Sequence, residues 1–156
     1  MKRSCLAFLL LLGLAACGDK PADRPAAREP GPDATGTLCH MALSEHRGPK
    51  AQLFLRGQTE PLWFSSVRDL FAWLREEGVG KPYAAIYVND MEQGSWEHPA
   101  PGSWVGAEQA LYVTGSDHDA DMGGGELVPF SRPEAAGRFI AAHGGQIMRF
   151  KDVFHD

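Results

Sequence analysis

The sequence predicts an α+β domain made of two similar halves, carried behind an export signal and a polar linker. Three observations point there: a short apolar run that ends in a cysteine, a following stretch without large apolar residues, and a strand-loop-helix-strand pattern that occurs twice.

Lys2 and Arg3 precede an apolar run over residues 6–14, and Ala15 and Ala16 stand directly before Cys17. The run is shorter than the roughly 20 residues needed to cross hydrocarbon, so residues 1–16 read as a signal peptide and not as a membrane span. A cysteine placed directly after small residues looks like a bacterial lipobox. Cys17 is then the expected lipidation site and the first residue of the mature chain. Cys5 leaves with the signal, which makes Cys39 the one free thiol of the mature domain and excludes an internal disulfide.

Residues 17–36 hold Pro, Gly, Asp and Ala but no aromatic or large aliphatic side chain. Burial there cannot offset the entropy of ordering, so the stretch is expected to be a flexible tether. The folded domain is expected at residues 37–156, with halves at about 37–98 and 99–156. Its length suffices for one ordinary hydrophobic core. The formal net charge of the chain is -5, and loss of Lys2 and Arg3 makes the mature protein more acidic. That balance argues against nucleic acid and against a basic grip on anionic lipid, which leaves the lipid as the membrane attachment.

In the first half, residues 51–55 (AQLFL) read as a strand, and residues 61–64 lead into Ser65 and Ser66. Ser66 and Asp69 have capping-box spacing for a helix whose apolar stripe includes Leu70, Trp73 and Leu74 and which stops at Gly78. Residues 83–88 (YAAIYV) read as a second strand by length and by aromatic and β-branched content. The second half answers in register. Residues 110–113 (ALYV) form its first strand, and Phe130-Ser131 matches Phe64-Ser65. Counting on from each Phe, Leu70 matches Ala136, Trp73 matches Phe139, Leu74 matches Ile140 and Gly78 matches Gly144; Ser131 with Glu134 offers a second cap pair, and residues 146–150 (QIMRF) the returning strand. Two such units packed together make one α+β domain. The main difference is a longer, Gly-rich loop in the second half, SDHDADMGGGEL, which contains His118 and Met122.

The strongest chemical signal is Cys39-His40-Met41. On an extended segment residues i and i+2 project to the same side, so Cys39 and Met41 could aim both sulfurs at one point while His40 points away. A thiolate and a thioether suit Cu(I) and are poor ligands for Mg²⁺ or Ca²⁺. The same residues also serve elsewhere as ordinary core filling. Two sulfurs leave room for a third donor, and Met122, His118 and His46 are the candidates. His98, His143, His155 and Met91 have ordinary loop, helix or core readings. Trp73 is expected in the core, whereas Trp63, Trp96 and Trp104 could line a cleft or a partner face.

Other chemistries are weakly represented. There is no H-E-x-x-H or paired-cysteine zinc spacing, no C-x-x-C redox pair and no phosphate-binding glycine fingerprint. Cys39 with a histidine could form a nucleophile and base, but no orienting partner is recognisable, so the chain is not read as an enzyme.

These residues in this order resemble the NosL family. The resemblance rests on the lipobox at Cys17, on Cys39-His40-Met41 followed by EHRGPKAQLFL, on PLWFSSVRDLFAWL, on ALYVTGS, and on Asp121-Met122-Gly123 leading into LVPFS and a helix ending in HGG. It implies an α+β fold of two βαββ-like halves, related to the non-catalytic architecture of organomercurial lyase. It also implies a Cu(I) metallochaperone that serves the copper centres of nitrous-oxide reductase in denitrification, together with a membrane transporter complex. Cys39 and Met41 are the implied metal ligands, with Met122 and His118 as further candidates; His40 stands where relatives commonly have glycine. The expected location is the periplasmic side of a bacterial membrane, at the outer membrane, through a palmitate-bearing lipid on Cys17. The competing expectation is a lipid-anchored scaffold for a reductase or transporter that carries no metal.

Overall fold

A computed structural model describes residues 24–121 and 123–155. The signal segment, Cys17 and Met122 therefore lie outside the described residues.

Residues Ala51–Leu55 form β1 and Leu62–Phe64 form β2. The helix α1 (Val67–Glu76) follows, then β3 (Tyr83–Asn89) and β4 (Trp104–Gly106). The second half consists of β5 (Leu111–Thr114), β6 (Val128–Phe130), α2 (Pro133–His143) and β7 (Gln146–Arg149). All strand pairs are antiparallel. The sheets run β2-β1-β3-β4 and β6-β5-β7, so in each half the first strand is central, flanked by its hairpin partner and by the strand that returns after the helix. The α+β class and the two similar halves are thus present, each half running strand, strand, helix, strand.

The repeat extends to side chains. Phe64 packs on Trp73 with ring centroids 5.9 Å apart, and the matching pair Phe130 and Phe139 packs at 5.3 Å. Leu70 and Ala136 are both buried under their sheets. Helix starts differ. Ser66 caps α1, its hydroxyl accepting from Asp69 N at 3.0 Å, as the spacing predicts. The second cap pair does not form: Arg132 is the N-cap of α2 and makes no side-chain cap bond, and the Ser131 hydroxyl instead donates to Asp90. Pro133 opens this helix, at a position where the missing N–H has no partner to lose.

Two boundaries differ from the sequence reading. Strand β4 pairs with β3, Val88 opposite Val105, so the first sheet continues well past residue 98. Residues 24–36 belong to the folded part, although the tether was expected to reach Gly36. Gln52 is fully buried on β1, and a buried amide needs both an acceptor and a donor. Arg28 supplies them: its N–H donates to Gln52 Oε1 and its carbonyl accepts from Gln52 Nε2, both at 2.9 Å. The Tyr87 hydroxyl also donates to the Pro25 carbonyl at 2.7 Å.

The halves meet across β5. Its alternation sends Tyr112 toward α1, where Phe71 meets it edge-on at 5.4 Å, and Val113 toward α2. The N-terminal end of α1 is also tied to the long second-half loop, because Glu126 accepts from Arg68 N at 2.9 Å. That junction places the loop beside the segment bearing Cys39.

Candidate metal centre

Cys39 lies in a tight loop closed by the Thr35–Ala42 bridge. Gly36 N donates to the Met41 carbonyl at 2.9 Å, His40 N donates to the Gly36 carbonyl at 2.8 Å, and Thr37 N donates to the Trp63 carbonyl at 2.7 Å, which fixes the loop to β2. Within it His40 has φ 56°, the left-handed region. Cys39-His40-Met41 is therefore a turn and not the expected extended segment on which residues i and i+2 share a side. The left-handed backbone at His40 accounts for the change of direction.

The turn lays the Cys39 thiol on the start of α1. Its Sγ is 3.4 Å from Ser65 Oγ and 3.9 Å from His46 Nε2. Ser65 in turn donates to Asp69 Oδ2 at 3.0 Å, and a hydroxyl has one proton, so in this arrangement the thiol is the donor to Ser65. Close approach to the loop depends on Gly36. A Cβ there would stand 2.5 Å from Cys39 Sγ.

His46 follows a single turn of 3-10 helix, Leu43–Glu45, and its side chain is only 5% exposed. While Nε2 faces the thiol, Nδ1 stands 4.0 Å from Asp121 Oδ2, a contact longer than a hydrogen bond. Asp121 is held by Arg47, whose backbone N donates to Oδ2 at 2.6 Å and whose guanidinium donates to Oδ1 at 3.0 and 3.2 Å. Burial on its own would raise the Asp121 pKa, but the Arg47 hydrogen bonds and charge, aided by His46, bring it below the ordinary carboxylate range. Drawn in to hydrogen-bond length, this fixed carboxylate behind the ring would complete the outer-shell arrangement of a metal-binding histidine. Met41, two residues beyond the thiol, is 42% exposed, one of the few large apolar side chains at the surface among the described residues.

His118 is engaged elsewhere. Its Nδ1 contacts Asp117 Oδ1 at 2.8 Å, and its ring packs on Trp96 at 4.2 Å and on His143 at 4.5 Å. Of the tryptophans, Trp73 is in the core, Trp63 and Trp104 lie together with centroids 6.0 Å apart, and Trp96 stands apart against His118.

The sequence model of the NosL family matches residues 27–156, which includes this whole arrangement. The chain belongs to the NosL family. It is 40% identical to the copper-binding lipoprotein NosL of Achromobacter cycloclastes over 157 residues, covering 97% of this chain and 81% of that protein. With the copper-binding lipoprotein NosL of Stutzerimonas stutzeri it shares 30% identity over 151 residues, covering 95% of this chain and 77% of that one. Its fold is similar to the crystal structure of the copper chaperone NosL from Shewanella denitrificans, with TM-score 0.75 and 30% identity over 81% of this chain and 94% of that one. It is also similar to the solution structure of apo-NosL from A. cycloclastes, with TM-score 0.51 and 43% identity over 65% of this chain and 82% of that one. These NosL relatives are named as copper-binding proteins and a copper chaperone, and none as an enzyme.

The sequence offers Cys39 and Met41 as the sulfur pair and His46 as one of three third-donor candidates; the structure brings Cys39 and His46 together, leaves Met41 at the surface, and adds Gly36 and Ser65, which the sequence does not single out. Asp121 stood inside the family motif without a role of its own. No periodicity or spacing could have promoted these residues, because their contacts depend on a turn at His40 and on pairs as distant as Arg47 and Asp121. Gly36→Ala tests the turn directly. Its backbone lies outside the positive-φ region, so the fold should persist, while the displaced thiol should weaken Cu(I) binding about 10–100-fold in anaerobic competition titration.

Proposed function

We propose that this chain is a Cu(I) metallochaperone, held by lipid at Cys17 on the periplasmic side of the outer membrane, that supplies copper to nitrous-oxide reductase by ligand exchange. The observation that carries the reading is the Cys39 thiol facing the buried His46 imidazole at 3.9 Å, with a fixed carboxylate behind that ring. Copper binding by its relatives, named as such, supports it.

A cuprous ion here would sit on the Cys39 thiolate and His46 Nε2, with the Met41 thioether arriving from the surface side and Met122 of the long loop as a further candidate; His118, held by Asp117 and His143, is set aside for this ion. The donors are soft and borderline, which suits Cu(I). Burial of His46 and partial burial of Cys39 hold one side of the ion away from water, whereas Met41 offers a replaceable contact on the open side. An incoming imidazole or thiolate from the acceptor would displace the thioether first, because that bond carries no charge and its side chain is not held by the core. The Cys39 thiolate would then leave and, on taking back a proton from solvent, donate its hydrogen bond to Ser65 again. Each substitution exchanges one ligand for another, so copper never passes through bulk water.

Transfer itself is the test. Anaerobic incubation of the Cu(I)-loaded protein with copper-free nitrous-oxide reductase should move copper to the reductase and restore its absorption bands, and Cys39→Ser should deliver none. Binding to the reductase or to its transporter complex with no copper moved would favour the scaffold reading.

A further inference from the structure

The geometry points to a second metal site, separate from Cys39, in which Asp117, His118 and His143 bind a divalent borderline transition ion, Cu²⁺ ahead of Zn²⁺. This inference stands independently of the Cu(I) reading, since it uses none of the sulfur ligands.

Two imidazoles converge on one carboxylate. Asp117 Oδ1 is 2.8 Å from His118 Nδ1 and 3.0 Å from His143 Nδ1, and one ligand atom from each residue lies within 4.8 Å of the others. In a tetrahedral site with bonds of about 2.0–2.1 Å, neighbouring ligand atoms are about 3.3 Å apart. The two carboxylate–imidazole separations are already within about half an ångström of that spacing, and no pair of the three donors is more than 4.8 Å apart, so side-chain rotations alone would draw them onto one ion.

The gathering is built into the backbone. Asp117 N donates to the His143 carbonyl at 3.0 Å, which fastens the start of the long loop to the end of α2. The chain then turns through Gly144 and Gly145 at φ 73° and 96°, and a Cβ on Gly145 would stand 2.6 Å from the Thr114 carbonyl. Only glycine allows the helix end to press on β5 this closely, and that contact brings His143 to the loop. Both rings are then fixed by packing: Trp96 at 4.2 Å and Phe139 at 5.4 Å on His118, and Phe139 at 4.6 Å on His143. Asp119 lines the same open cleft and offers a fourth ligand, a second carboxylate oxygen.

The donor set selects the ion. Two nitrogens and one or two carboxylate oxygens lack the sulfur that Cu(I) prefers, and they suit divalent copper or zinc, with Cu²⁺ bound more tightly by the Irving–Williams order. The chain would then offer a soft site and a borderline site to the two oxidation states of one metal.

The test titrates Cu²⁺ into the full chain with Cys5, Cys17 and Cys39 replaced by serine, so that no thiol reduces the ion and no thiolate competes for it. One Cu²⁺ per chain is expected, with nitrogen superhyperfine structure from two imidazoles in its electron paramagnetic resonance spectrum. His118→Ala and His143→Gln should each lose that pattern and bind Cu²⁺ at least roughly 10–100-fold more weakly, with unchanged melting temperature. If either variant melts lower, Asp117→Asn, which keeps an accepting oxygen, makes the same comparison. Failure to retain Cu²⁺, or equal retention by the parent and these variants, overturns the proposal.

Discussion

Cys39→Ser is expected to cost more Cu(I) affinity than the roughly 10–100-fold typical of losing an outer-shell partner, because it removes a ligand outright. The serine hydroxyl keeps the size and the hydrogen bond to Ser65, so the loop closed by Thr35 and Ala42 should fold as before. What disappears is the soft anionic donor, and a hydroxyl is a hard and weakly acidic substitute for it. His46→Ala should come next. It takes away the neutral nitrogen and leaves Asp121 paired with Arg47 alone. Met41→Ala should cost least, since its side chain is half exposed and its place can be taken by solvent or partner. Anaerobic competition against a strong Cu(I) chelator orders the three. Unchanged affinity in Cys39→Ser removes the thiol from the account.

The second large effect is on stability and its pH dependence, through Glu126. This side chain is fully buried; its Oε1 accepts from Arg68 N and Leu127 N, and its Oε2 has no partner among the described residues. Burial pushes its pKa up to about 8; the two backbone N–H groups oppose the rise, Asp69 adds to it, and Lys50 opposes it. Between the unfolded value of 4.5 and about 8 the folded state therefore holds the proton more tightly. Its contribution is fully present below pH 4.5 and is lost as the pH rises through about 8, a total on the order of 5 kcal/mol at about 1.4 kcal/mol per unit. Glu126→Gln keeps an oxygen for both N–H donors and carries no charge at any pH. Relative to the parent it should gain stability steadily from pH 5 to pH 8. Lys50 acts in the opposite sense at higher pH: burial brings it down to about 8 from 10.5, so its contribution grows from pH 8 upward, and the comparison belongs below that. Urea unfolding of both proteins at three pH values measures the gap. Parallel stability curves would mean that the Glu126 carboxyl ionises as freely as in the unfolded chain.

Much of this molecule is legible locally. The strand at Ala51–Leu55, the cap at Ser66 and the match of Phe64 and Trp73 with Phe130 and Phe139 all follow from patterns within one segment. The errors lie where the deciding partner is far along the chain. Residues 24–36 look like a linker because their composition lacks apolar side chains, yet the buried amide of Gln52 recruits the backbone of Arg28. Ser131 looks like a cap until Asp90 takes its hydroxyl. The proposed metal centre shows the same division. Cys39 and Met41 announce themselves by residue type, but the turn at His40, the clearance at Gly36 and the carboxylate behind His46 exist only once separate loops meet.

X-ray absorption at the copper edge of the Cu(I)-loaded protein, beside its Cys39→Ser and His46→Ala variants, asks the central question most directly. The account predicts a three-coordinate cuprous ion with sulfur and imidazole scattering, one sulfur shell lost in Cys39→Ser and the imidazole signature lost in His46→Ala. A spectrum of nitrogen and oxygen neighbours without sulfur, or one unchanged by both substitutions, would contradict it.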